Sequence, residues 1–174
     1  MKRAALLILL LASGAVAQTR HNTDAPIDFG ADTIELQDRA NRAVLSGNVA
    51  VRQAEMSLNA ARMTVNYTGQ VIGGSPQVSR LDAAGGVVVR RPDQTARSQY
   101  AVYDLNRRVI TMVGSVSLTQ GGNTVNGGRL TINLDNGRAI IDGTSASGSS
   151  SGAGNVTSTP SGRVTGTFSV PKRN

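Results

Sequence analysis

The chain has 174 residues, a net charge of +7 from 18 Lys and Arg against 11 Asp and Glu, no Cys and one His. The missing Cys excludes disulfides, thiol catalysis and thiolate metal sites, and the single His, His21 in a polar lead-in, gives no support to a Ser-His-Asp triad or a histidine metal site. Three Tyr, two Phe and no Trp leave almost no stacking platforms, so the basic balance does not indicate nucleic acid.

The amino terminus reads as an address. Lys2 and Arg3 precede an unbroken apolar run from Ala4 to Ala12, and Ala15-Val16-Ala17 is an A-x-A cleavage site. This is the pattern of a secretory signal peptide over 1–17, with the mature chain beginning at Gln18. A membrane-spanning helix needs about 20 apolar residues, more than this run supplies, and no Cys follows for a lipid anchor. Loss of residues 1–17, Lys2 and Arg3 among them, leaves 157 residues, enough for one domain, with sixteen basic residues against eleven acidic and a net charge of +5. Fifteen of the sixteen are Arg, whose planar fork suits phosphate and carboxylate.

Residues 18–26 are polar and read as a flexible lead-in. From 27 to 142 the apolar residues recur with a period of two, the signature of half-buried strands. Ile34 and Leu36 alternate with Thr33, Glu35 and Gln37; Val49 and Val51 with Asn48, Ala50 and Arg52; Met56 and Leu58 with Ser57 and Asn59. Met63, Val65 and Tyr67 follow, then Val116 and Leu118, then Leu130, Ile132 and Leu134. No window sustains the spacing of a helix. The phase of the alternation flips between runs, so a turn or bulge is expected at Gln53-Ala54-Glu55 and at Ala60-Ala61-Arg62. The pairs Gly73-Gly74, Gly85-Gly86, Gly121-Gly122 and Gly127-Gly128 mark more of them.

The chain repeats itself. Gly47-Asn48-Val49-Ala50-Val51-Arg52-Gln53 aligns with Gly114-Ser115-Val116-Ser117-Leu118-Thr119-Gln120, and at the same offset Arg62 to Asn66 aligns with Arg129 to Asn133. A fainter copy begins at Gly86-Val87-Val88-Val89-Arg90. Units of this kind stack because one alone cannot bury its apolar face. Residues 143–162 are dominated by Ser, Gly, Thr and Ala and read as a disordered linker. Val164, Phe168 and Val170 then offer one short alternation within 163–174, either a strand that docks back or no element at all.

The chain lacks the residues of an enzyme. Its acids are scattered singly at strand edges and turns, and no nucleotide-binding glycine loop is present. What remains is the inward face: Ile34, Leu36, Leu45, Val49, Val51, Met56, Leu58, Met63, Val65, Val87, Val89, Tyr100, Val102, Met112, Val116, Leu118, Leu130, Ile132 and Leu134. These side chains either pack on each other as a closed core or line an open groove. Met56, Met63 and Met112 are flexible gap-fillers that suit an adaptable lining.

The stretch from Arg39 to Gln53, with its strand, Gly47-Asn48-Val49 and second strand ending in Gln53, resembles the LptA/OstA family. Met56 to Tyr67 is similar to the family's next strand. Ala101 to Val113, followed by Gly114-Ser115 in place of the usual Gly-Asn, is similar to its second half. The resemblance covers about 25–142 and implies an all-β fold, a twisted antiparallel β-jellyroll built from repeated strand units. It further implies a non-enzymatic periplasmic carrier without cofactor. Acyl chains of lipopolysaccharide would lie against the nineteen inward residues. Edge strands would join it end to end to its own copies, to an LptC-like inner-membrane partner and to an LptD-like outer-membrane partner. The Ser/Gly-rich segment departs from the compact family ending. The alternative is an exported structural or adaptor β-module with a closed core that binds protein partners only; a carbohydrate-active β-fold would need a cleft of convergent acids.

Overall fold

The structure, a computed structural model, describes residues 21–69, 74–143 and 165–167. The expected signal peptide and cleavage site and most of the Ser/Gly-rich segment lie outside the described residues. The alternating residues form β-strands as their pattern predicts: β1 Ile27–Gly30, β2 Thr33–Gln37, β3 Arg42–Gln53, β4 Met56–Thr68, β5 Gln77–Arg91, β6 Gln94–Asp104, β7 Val109–Gln120, β8 Asn123–Asn133, β9 Ala139–Asp142 and β10 Thr165–Thr167. All pairings are antiparallel, and β3 to β8 run in sequence order through one sheet. The expected all-β class and jellyroll architecture are what the chain adopts.

The five ladders from β3 to β8 all shift register at one level. The extra residue is always on an odd-numbered strand. It lies at Gly47-Asn48 on β3, Gly85-Gly86 on β5 and Gly114-Ser115 on β7, and all six of these residues have positive φ, between 45 and 86°. That left-handed conformation costs an L-residue about 1–2 kcal/mol, so Gly leads each pair and Asn or Ser, which tolerate it, follow. At Gly47 the bulge is clasped from outside. The Asp32 amide donates to the Gly47 carbonyl at 2.9 Å, and Asn48 Nδ2 donates to Asp32 Oδ2 at 2.9 Å. The repeat legible in the sequence is thus a row of β-bulges, and its middle copy begins at Gly85 rather than Gly86.

A bulge bends its strand, and three in line crease the whole sheet. Layer one is formed by residues 42–46, 62–68, 77–84, 100–104, 109–113 and 129–133, and layer two by 49–53, 56–60, 87–91, 94–98, 116–120 and 123–127. Their inward side chains belong to a single buried cluster. A direct bond proves that the layers face each other. Tyr103 Oη on β6 donates to Gln53 Oε1 on β3 at 2.7 Å, although no ladder joins these strands.

The ends of the sheet mirror each other. On β3, β1 covers residues 50–53 and β2 covers 42–46, with the chain crossing the crease between them. On β8, β9 covers 129–132 and β10 covers 124–126. The short strand at 165–167 thus pairs antiparallel with β8.

Candidate functional site

The inner face is a trough bounded by the two layers and closed along one side by the crease. Fifteen of the nineteen residues proposed for it lie in its buried cluster: Leu45, Val49, Val51, Met56, Leu58, Met63, Val65, Val87, Val89, Met112, Val116, Leu118, Leu130, Ile132 and Leu134. Ile34 and Leu36 also face inward, since they pair directly with Leu45 and Ala43. They stand 45% and 55% exposed.

Tyr100 and Val102 are a correction. Both point outward, Tyr100 with 58% of its surface exposed, while Ala101 and Tyr103 face the trough. The cause is the crease. On odd strands the inward positions flanking it are four residues apart, as in Leu45 to Val49. On even strands they are three apart, as in Ala60 to Met63 and Ser98 to Ala101. The phase on β6 therefore flips after Ser98. The stretch Tyr100-Ala101-Val102-Tyr103 offers an aromatic residue in either phase, and applying the even-to-odd flip seen on β4 would have chosen correctly. The sequence reading also missed Leu81, Ile110 and Tyr103, all fully buried in the trough. Phe29 was missed too; it pairs with Val51 and so faces inward at the β1 edge.

At that edge the trough opens. A cavity of about 750 Å³ lies between β1 and β2, walled by Ile27, Phe29, Leu36, Ala43, Val65, Tyr67, Val78 and Leu105, with Gln53 and residues 23–26 beside them. Its lining is chiefly apolar, continuous with the buried cluster, and its mouth carries the exposed Phe29 and Leu36. Farther in, the layers are in contact. A single inner face is thus packed along most of its length and open at one end.

Gln53 is the polar exception. It follows Val49 and Val51 in the inward phase, is 2% exposed, and makes four bonds. Its Oε1 accepts from Tyr103 Oη at 2.7 Å and lies 3.3 Å from His21 Nε2. Its Nε2 donates to the carbonyls of Thr23 at 2.9 Å and Ala25 at 3.0 Å. Residues 21–26, expected as a flexible lead-in, are held to the trough by this carboxamide. Burial pushes the Tyr103 phenol up to about 12. Burial also lowers the His21 imidazole below its ordinary value, against the opposing hydrogen bond from Gln53. Among the described residues the ion pairs are Arg80 with Asp82, and Arg108 with both Asp24 and Asp135, all solvent-exposed. Among the described residues no cluster of His, Asp and Glu could hold a metal ion, and no helix is long and apolar enough to cross a membrane.

The arrangement can sequester an apolar ligand but shows no set of groups converging for chemistry. A protein of Rhizobium meliloti strain 1021, itself uncharacterised, is 30% identical over 145 residues, spanning 76% of this chain and 78% of its own. The crystal structure of LptH from Pseudomonas aeruginosa, described as the LptA-homologous periplasmic component of that organism's lipopolysaccharide transport device, superposes with a TM-score of 0.68. That match covers 86% of this chain and 99% of LptH at 20% identity, and so speaks for the fold. Residues 29–138 match the sequence model described as LptA/(LptD N-terminal domain) LPS transport protein. That span is well over half of the chain, includes every strand of the creased sheet from β2 to β8, and establishes that the chain belongs to the LptA/LptD amino-terminal-domain family of lipopolysaccharide transport proteins.

Proposed function

We propose that this protein is a periplasmic lipopolysaccharide carrier that holds the acyl chains between its two layers and forms part of a bridge from inner to outer membrane. The observation that carries the reading is the continuous inward apolar face, buried from β3 to β8 and open at the β1–β2 mouth. Each methylene removed from water there is worth about 0.8 kcal/mol, a return that offsets parting the layers. The three inward Met side chains can re-pack around a guest.

Both ends of the sheet support assembly. β1 and β2 at one end, and β9 and β10 at the other, are short strands of three to five residues with no further strand beyond them among the described residues. Such edges add strands readily. In this reading they join copies of the chain to one another, to an LptC-like partner at the inner membrane and to an LptD-like partner at the outer membrane. A closed-core adaptor is not favoured, because the family is one of lipopolysaccharide transport and the inward face is uncovered at one end.

Photo-crosslinkers placed singly at Leu36, Val51, Leu118 and Tyr100 in cells test it. The first three should capture lipopolysaccharide and outward-facing Tyr100 should not. Capture at none of the inward sites, or equal capture at Tyr100, refutes the trough.

A further inference from the structure

The crease closes one long side of the trough through covalent backbone. The opposite side, where the strands of both layers end, has no such closure. Residues 21–26 cross it. They enter β1 at Ile27, which pairs with Gln53 at the free margin of layer two. Asp24 then reaches Arg108 at 3.1 Å, in the turn between β6 and β7 at the free margin of layer one. Arg108 is itself steadied by Asp135 at 3.3 Å. Asn22 shapes the crossing, accepting from the Asp24 amide at 3.1 Å through Oδ1 and from the Ala25 amide at 3.4 Å through its carbonyl. Beneath it, the Gln53–Tyr103 bond joins the same two margins.

The outer tie on this side, the Asp24–Arg108 pair, is solvent-exposed, so water can replace it, while the Gln53–Tyr103 bond beneath it is buried. The layers are hinged at one side and tied at the other. We propose that residues 21–26 are a latch. Fastened, it holds the layers at packing distance near the mouth. Released, it lets them part and admits acyl chains sideways between the margins as well as through the β1–β2 end. This rests on the carrier reading and adds to it a control point that lies outside the strand edges.

The chain has no native Cys, so the latch can be locked selectively. Asp24→Cys with Arg108→Cys, bridged by a short bifunctional thiosulfonate reagent, fastens it, and dithiothreitol reopens it in the same polypeptide. A folding defect therefore cannot mimic the result. The probe is fluorescently labelled lipid A, and the readout is its loading rate. The bridged form should load at least tenfold more slowly than the reduced form, and lipid should accelerate hydrogen exchange of the amides at 21–26 in the unmodified chain. Gln53→Ala, which frees the Thr23 and Ala25 carbonyls, should load several-fold faster than wild type. Equal rates before and after reduction overturn the latch and leave the carrier reading intact. Failure of both forms to load at any lipid concentration overturns the carrier reading and the latch with it.

Discussion

Replacing Gln53 with Leu keeps the volume of a buried side chain and deletes all four of its hydrogen bonds. Two of the lost partners, the Thr23 and Ala25 carbonyls, can turn to water as their segment loosens, at a net cost of about 0.5–1.5 kcal/mol each. The third is the hydroxyl of Tyr103, a residue 1% exposed, which is left without its acceptor. An orphaned buried donor costs about 1–3 kcal/mol. Leu recovers part of this through apolar burial, so the expected loss is about 2–4 kcal/mol. At roughly 4 °C per kcal/mol for a domain of this size, the melting temperature should fall by about 8–16 °C, with an unchanged urea m-value. The decisive comparison is a cycle with Tyr103→Phe, which alone should cost about 1 kcal/mol. In the double variant no donor is stranded, so its cost should be smaller than the sum of the two single changes by about 1–2 kcal/mol. Additivity within about 0.5 kcal/mol, the usual limit for independent sites, would show that the two side chains do not act as a pair and would refute the cross-layer tie.

Three further outcomes follow from the same geometry. Gly47→Ala should cost about 2–4 kcal/mol in urea denaturation, because the left-handed backbone and collision of the new methyl with the Asp32 carboxylate add. Gly86→Ala, with positive φ but open space around it, should cost about 1–2 kcal/mol, so equal losses would rule out the clasp. The His21 imidazole, facing Arg91, Glu55 and Gln53, is lowered on folding. The unfolded chain therefore takes up the proton first, and stability should fall as pH drops from about 6.5 through the lower folded value; melting curves of His21→Gln should lack that component. Tyr103 is raised from 10.0 to about 12. Its contribution is complete below pH 10 and is lost as pH climbs through about 12, and a late phenolate absorbance step should vanish in Tyr103→Phe.

Much of the fold was legible because it is written locally. Alternation of Val, Leu, Ile and Met sets strands and faces directly, and Gly47-Asn48, Gly85-Gly86 and Gly114-Ser115 announce positions where φ turns positive, whereas Gly127-Gly128, expected as a turn or bulge, runs within β8 without positive φ. Most of the inward face followed from those two signals. The rest was lost where local patterns are degenerate or where the deciding contact is distant. Tyr100-Ala101-Val102-Tyr103 supports either phase, and only register against β5 and β7 separates them. Ile34 and Leu36 were assigned the right face, but alternation cannot report that no strand lies over them. Gln53 was read as part of a turn, although its place two residues beyond Val51 put it on the inward face. The reason a polar residue is tolerated there is Tyr103, fifty positions away. Residues 18–26 read as a flexible lead-in, and the partners that hold 21–26 to the sheet, Gln53 and Arg108, are distant in the chain.

The crease has a bearing on how such a chain can change length. Its extra residue falls on β3, β5 and β7 and is absent from β4, β6 and β8, so the smallest piece that preserves the bend is a pair of strands. A duplication or deletion of one strand would set two bulged or two unbulged strands side by side and throw the inward faces out of phase. Gain or loss of a whole hairpin keeps every bulge in line and alters the span by about 9.6 Å, twice the interstrand spacing. The protein is therefore built as a ruler graduated in hairpins. Its reach can be lengthened or shortened in those steps without redesign of either end.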